Sequence, residues 1–148
     1  MSTRLQAELD TTLRTVVDEM SAATTQLVIV LDEEREALNS ADANALNRAG
    51  EAKQMLMRRL EQLDAERLHI VATSAHAAQE VQPAWGDLLK TLTTCRDKNQ
   101  RNGALVGRRL SQVRRALSVL TGSGNDSGIY SHSGELRSGH RSMPLAEA

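Results

Sequence analysis

The chain has 148 residues, of which 40% are hydrophobic but only 1% aromatic, and its formal net charge is −1 at pH 7. This length suits one domain with a core of its own. The scarcity of aromatic side chains favours narrow aliphatic helix seams over thick sandwiches, and it argues against an enzyme pocket. The longest apolar run, Leu27 to Leu31, is far too short for a signal peptide or a membrane span. We therefore expect a cytoplasmic protein with no membrane insertion.

The first helix is predicted from apolar residues that recur every three or four positions between Leu5 and Leu38. Turn-forming residues then interrupt this pattern, and Asp42 can cap a second helix that begins near Ala43. The second apolar stripe runs from Leu46 to Ser74. Pro83 suits the first turn of a third helix.

The third helix carries the longest stripe, in steps of three and four: Trp85, Leu88, Leu92, Cys95, Asn99, Asn102, Val106, Leu110, Val113, Leu117, Leu120. It ends at Thr121 and Gly122, where glycine can take the left-handed conformation. We therefore predict an all-α fold, an antiparallel, coiled-coil-like bundle of three long helices over residues 1–121. Residues 122–148 are rich in glycine and serine, and we expect them to form a flexible tail.

Asn99-Gln100-Arg101-Asn102-Gly103 interrupts this stripe with helix-unfriendly residues at positions that call for core side chains. A glycine inside a helix costs about 1 kcal/mol against alanine, and a buried amide without a partner costs roughly 1–3 kcal/mol. We predict that Asn99 and Asn102 hydrogen-bond either close to each other or to facing backbone or side-chain groups of the first two helices. Either way they would fix the register of the helices, as a buried Asn does in coiled coils. Cys95, the single cysteine, is expected to be a small buried side chain.

The second helix carries a weak signal for a metal site. Glu66 and His69 have the Glu-x-x-His spacing of a bundle di-iron site, and His76 and Glu80 continue the same face. Di-iron bundles use that pair twice with two further carboxylates, whereas one copy occurs here. No nucleophile, phosphate loop or acid-base pair stands out. We expect no metal, no cofactor and no catalytic residue.

Two surface features leave alternatives. The third helix has eight basic and two acidic residues between 83 and 121. No aromatic stacking partner lies among the basic residues, so pairing within the bundle or with an acidic partner fits better than nucleic acid. Spare apolar residues either enlarge the core or form a docking surface for another chain's amphipathic helix. These residues are Val28, Ile29, Met55, Met57, Leu89 and Leu105.

Three elements in order resemble the FlgN family of flagellar export chaperones. They are Asn99-Gln100-x-Asn102-Gly103, then Arg114-Arg115-Ala116-Leu117-x-x-Leu120-x-Gly122, then Ile129-Tyr130-x-x-x-Gly134. The similarity covers roughly residues 5 to 136. Ser131 departs from the family pattern, which usually has an acidic residue after the tyrosine.

The resemblance implies a chaperone that binds hook-filament junction proteins through their terminal helical segments and keeps them unassembled. It also implies delivery to the cytoplasmic domain of the export gate, with Tyr130, supported by Ile129 and Gly134, as the docking residue. The C-terminal half of the third helix adjoins the tail. From this location and the resemblance we expect client binding at Leu110, Val113, Leu117 and Leu120. The alternative to a docking segment is a tail that has no binding function. For the whole chain, the alternative is a generic helical adaptor or a coiled-coil homo-oligomer, and a chaperone could also self-associate weakly.

Overall fold

The computed structural model describes residues 2–122, which form four α-helices and no strand. The helices are α1 (Thr3–Ser40), α2 (Ala43–Thr73), α3 (Ala75–Glu80) and α4 (Gln82–Leu120). The all-α prediction is confirmed for this range. The three long helices that the sequence predicts are present as α1, α2 and α4, and a short helix that it did not predict, α3, lies between the second and third of them. The docking segment predicted at Ile129 to Gly134 lies outside the described residues.

The turn between α1 and α2 is built by local backbone chemistry. Ala41 follows the last residue of α1 and caps it with a left-handed φ of 54°, and the Asp42 amide donates back to the Ala37 carbonyl at 3.0 Å. The Asp42 carboxylate then accepts from the Ala45 amide at 3.0 Å and caps α2. Because one residue closes one helix and the next opens another, the chain reverses within two residues.

Ser74 separates α2 from the short helix α3. Its backbone is extended, with φ −139° and ψ 107°, and its hydroxyl caps α3 by accepting from the Ala77 amide at 3.1 Å. The same Oγ accepts from Gln6 Nε2 of α1 at 2.7 Å, and Ser74 is only 3% exposed. The Ser74 hydroxyl therefore makes both the N-cap of α3 and a contact with α1, and α3 begins at the next residue.

Contacts between the long helices follow a consistent order. α1 contacts α2 through the ion pairs Glu19 with Arg59 and Glu34 with Lys53. Residues later in α1 therefore pair with residues earlier in α2. Along the first part of α4, residues later in α4 contact residues later in α1. The Cys95 thiol faces the Thr24 carbonyl at 3.7 Å, and the Asn102 amide reaches the Leu31 carbonyl at 2.9 Å.

Aliphatic side chains make up the core, as the composition requires. Its larger cluster joins buried residues of all four helices: Leu13, Val16, Val17, Met20, Leu63, Ile70, Ala77, Leu88. A smaller cluster consists of Leu27, Leu31 and Cys95, with Val28 and Leu56 packed against it. Arg67 closes one edge by stacking its guanidinium 3.9 Å from the centre of the Trp85 ring.

Cys95 has the inert environment that was predicted for it. Its side chain is 4% exposed, and burial raises the pKa of the thiol, although nearby Lys98 acts in the opposite direction. Because the thiolate is the reactive form, native protein should react with an aromatic disulfide reagent at pH 8 far more slowly than protein unfolded in guanidinium chloride. Equal rates would contradict the burial of this side chain. The pKa of the Cys95 thiol is thus higher in the folded than in the unfolded protein, where it is 9.0. The thiol therefore contributes to the free energy of unfolding below about pH 9, and this contribution is lost as the pH rises above the folded-state pKa.

The described residues belong to two compact units, Met1–Leu105 and Val106–Ala148, so the boundary falls inside α4. The helices and core clusters above belong to the first unit, apart from the last part of α4. In the second unit the described part is the end of α4 and the two residues after it. Gly122 there has φ +69°, the left-handed conformation predicted for it. The predicted domain limits, 1–121 and 122–148, stay a prediction.

Candidate functional site

The apolar stripe of α4 changes character at Asn102. Before that point Leu88 and Cys95 are buried, at 2% and 4% exposure. Beyond it every apolar member is exposed by more than a third: Val106 39%, Leu110 52%, Val113 55%, Leu117 54%, Leu120 81%. We name this set the exposed stripe. It contains all four residues predicted to bind a client and presents them to solvent on successive turns of one helix.

The spare apolar residues differ in burial, which bears on whether they enlarge the core or form a docking surface. Val28 packs on the smaller core cluster and so serves the core, whereas Leu105 is half-buried and belongs to neither cluster. Ile29, Met57 and Leu89 are exposed by about 45%, and Met55 is exposed by 65%. Single exposed apolar residues are ordinary on protein surfaces. The exposed stripe differs because its members follow one another at helical spacing.

Asn102 is the centre of a polar network inside the first unit. Its Nδ2 donates to the Leu31 carbonyl and to Glu34 Oε1, both at 2.9 Å, and the residue is 3% exposed. Glu34 is 7% exposed, and its second oxygen lies 2.8 Å from Lys53 Nζ. That ammonium group also donates to Asn99 Oδ1 at 3.1 Å. The network therefore joins α1, α2 and α4 at one level.

The network satisfies groups that would otherwise be costly. A buried carboxylate is tolerated when it is paired and hydrogen-bonded, and Glu34 has both kinds of partner. No buried side-chain nitrogen or oxygen within residues 2–122 lacks a hydrogen-bond partner. Asn99, Gln100 and Gly103 are exposed, and of these three only Asn99 reaches the network. An added Cβ at Gly103 or at Gly107 would meet no atom within 4 Å.

Sequence reasoning found the two asparagines but not their partners. The signal was present, because Glu34 and Lys53 both occupy stripe positions where neighbouring turns place aliphatic residues. A charged residue at such a position predicts a buried partner of opposite charge. Sequence periodicity gives no pairing between helices, so it could not say which charge faces which.

Two of the four residues suspected as metal ligands, His76 and Glu80 of α3, contact α1 instead. His76 Nδ1 lies 3.1 Å from Asp10 Oδ2, and Glu80 lies 3.9 Å from Arg14. Burial alone would raise the pKa of Asp10, but hydrogen bonds from Gln6 and His76 outweigh it and hold that pKa below its usual value. Within the described part of the chain, no three histidine, cysteine or acidic residues cluster as metal ligands would.

A family model described as FlgN protein matches residues 1–138. No curated protein and no solved structure matches the chain at a significant level. Among the helices described, none combines the length and the apolar character needed to cross a membrane. The match covers more than nine-tenths of the sequence, including the polar network and the exposed stripe.

Proposed function

Because the chain belongs to the FlgN family of flagellar export chaperones, we propose that it binds hook-filament junction proteins through their terminal helical segments. It keeps them unassembled and delivers them to the cytoplasmic domain of the export gate. It acts in the cytoplasm, catalyses no reaction and needs no cofactor. Family membership supports the general chaperone role, and the exposed stripe is the observation that supports the client site.

The exposed stripe suits an amphipathic client helix for a geometric reason. Its five members from Val106 to Leu120 lie on successive turns of one face of α4, a spacing that matches the apolar face of a second helix. Burying such side chains contributes roughly 25 cal/mol for each Å² of apolar surface removed from water. A client helix laid along the stripe would cover its own apolar face at the same time, and this keeps both chains soluble.

The proposed scaffold is an antiparallel bundle of three long helices, α1, α2 and α4. The opposite order of contacts between α1 and α2 supports it, as does the parallel order between α1 and the first part of α4. In this proposal the network around Asn102 fixes the register of the three helices. The stripe beyond Asn102 is then free to receive the client without loss of the core.

Titration of the purified chain with a junction protein, or with its terminal helical segment, tests the proposal directly. We expect a one-to-one complex that forms from a monomeric chaperone. A generic adaptor or coiled-coil homo-oligomer instead predicts a tight dimer that is indifferent to the junction protein. Sedimentation of the chain alone and with the junction protein distinguishes these two results.

Tyr130→Ala tests the second proposed contact, which joins the tail to the export gate. An aromatic ring with a hydroxyl group buries apolar area and can also hydrogen-bond in a pocket, whereas the glycines and serines around it contribute little. We expect affinity for the cytoplasmic gate domain, measured with cargo bound, to fall by about tenfold or more, a loss of about 1.4 kcal/mol. Helicity and cargo affinity should not change. Wild-type gate affinity in this variant would remove Tyr130 from the docking role.

A further inference from the structure

The heptad frame of α4 shifts where the stripe becomes exposed. From Asn102 to Val106 and again from Val106 to Leu110 the step is four residues, whereas elsewhere along the stripe steps of three and four alternate. Two successive steps of four start a new frame, in which Leu110 and Leu117 take position a and Val106, Val113 and Leu120 take position d. The flanking positions e and g follow from this frame.

Basic residues alone carry charge beside the exposed stripe. Arg109 takes position g and is half-buried, while Arg114 takes position e and is exposed. Arg108 and Arg115 lie at position f, away from the stripe. No aspartate or glutamate occurs between Val106 and Gly122. Positions e and g are the ones that form ion pairs between helices and set the choice of partner.

This arrangement opposes pairing of the stripe with a second copy of itself. In a parallel pair, g of one helix faces e of the next heptad on the other, which brings Arg109 opposite Arg114. In an antiparallel pair, g faces g and e faces e, so arginine again meets arginine or an uncharged residue. Neither orientation offers an acidic partner, and like charges that face each other are destabilising.

We propose that the exposed stripe selects an amphipathic helix with glutamate or aspartate at its flanking positions and rejects both a second copy of this chain and a basic helix. The proposal rests on the stripe being the client site, and it adds the chemistry of the client segment. Apolar contact supplies the affinity, and Arg109 and Arg114 supply the selection among apolar helices.

Two synthetic helical peptides test this selection with the full-length chain. They share leucine at every a and d position and differ only at e and g, where one carries glutamate and the other lysine, two residues of similar helix propensity. We expect the acidic peptide to bind about tenfold more tightly at 50 mM salt. At 1 M salt, where the Debye length is about 3 Å, the ratio should fall below about threefold.

The double variant Arg109→Glu with Arg114→Glu provides the reciprocal measurement, since it should prefer the lysine peptide. Circular dichroism verifies its helicity, and the wild-type preference decides the question by itself if the variant does not fold. Equal affinities, a preference of the wild type for lysine, binding of neither peptide, or a tight dimer of the chain alone would each overturn the proposal.

Titration with the junction protein keeps the two proposals separate. If that protein binds while the peptides show no charge preference, the selection is wrong and the chaperone function stands. If the peptides are discriminated and the junction protein does not bind, the chemistry of the surface stands and the proposed client is wrong.

Discussion

Replacing Leu117 by aspartate is expected to weaken junction-protein binding by about a hundredfold or more, a loss of about 2.7 kcal/mol. Leu117 is the fourth of the five members of the exposed stripe, where a client helix would remove its side chain from water. A carboxylate at this position would have to be desolvated within the apolar contact, which costs more than the lost apolar contact alone. Because Leu117 is 54% exposed in the free chain, the substitution should leave the fold intact.

The matched control is Ser111→Asp, which adds the same charge to the same helix. Ser111 is exposed and lies off the stripe, so client affinity should stay within about threefold of the wild type. Affinities come from isothermal titration with the junction-protein segment, and far-ultraviolet circular dichroism records helicity for each variant. Wild-type affinity in folded Leu117→Asp protein would remove the exposed stripe from the binding site.

Lys53→Met should lower the free energy of unfolding by about 2–3 kcal/mol. The change leaves the buried carboxylate of Glu34 with the Asn102 amide as its remaining side-chain partner, and removal of one member of a buried ion pair costs about 3–5 kcal/mol when both are fully enclosed. The Lys53 side chain is 24% exposed, so water can compensate part of the loss and the lower range applies. Urea denaturation followed by circular dichroism measures the difference.

Arg59→Met is the matched control, because it breaks the other ion pair between α1 and α2. Arg59 lies 2.6 Å from Glu19, but both side chains are about half exposed, and such pairs contribute about 1 kcal/mol or less. The double change of Glu34→Leu with Lys53→Met should recover most of the stability, since it leaves no unpaired charge in the interior. A double variant as unstable as Lys53→Met alone would contradict the account of Glu34 as a charge that depends on its partner.

Local sequence patterns were sufficient wherever one helix and its own ends decide the structure. Asp42 caps α2 and Gly122 takes a left-handed φ, as their side-chain chemistry predicts. The long stripes predicted long helices, and α1 and α4 have 38 and 39 residues. The order of the Asn99 to Gly103 element, the leucine-glycine helix end and the tyrosine tail indicated the FlgN family, which the family model confirms.

The position of Ser74 illustrates what a single sequence leaves undecided. The apolar pattern of α2 merely fades near this residue, and a serine inside a helix is unremarkable in sequence. The hydroxyl caps α3 and also accepts from Gln6 Nε2 of α1, 68 residues away in sequence, at 2.7 Å. The contact with Gln6 exists only after α1 has packed against this turn, so the sequence pattern did not mark Ser74 as a helix boundary.

Burial along α4 shows the same division between sequence and tertiary structure. The sequence by itself determined that Leu88, Cys95, Leu110 and Leu117 lie on one helical face, because a period of 3.6 residues follows from backbone geometry alone. Only the tertiary structure decided that the first two are buried and the last two are exposed. Periodicity defines the face that a helix offers, whereas burial depends on whether another element covers that face. On the second part of α4 that face is left exposed.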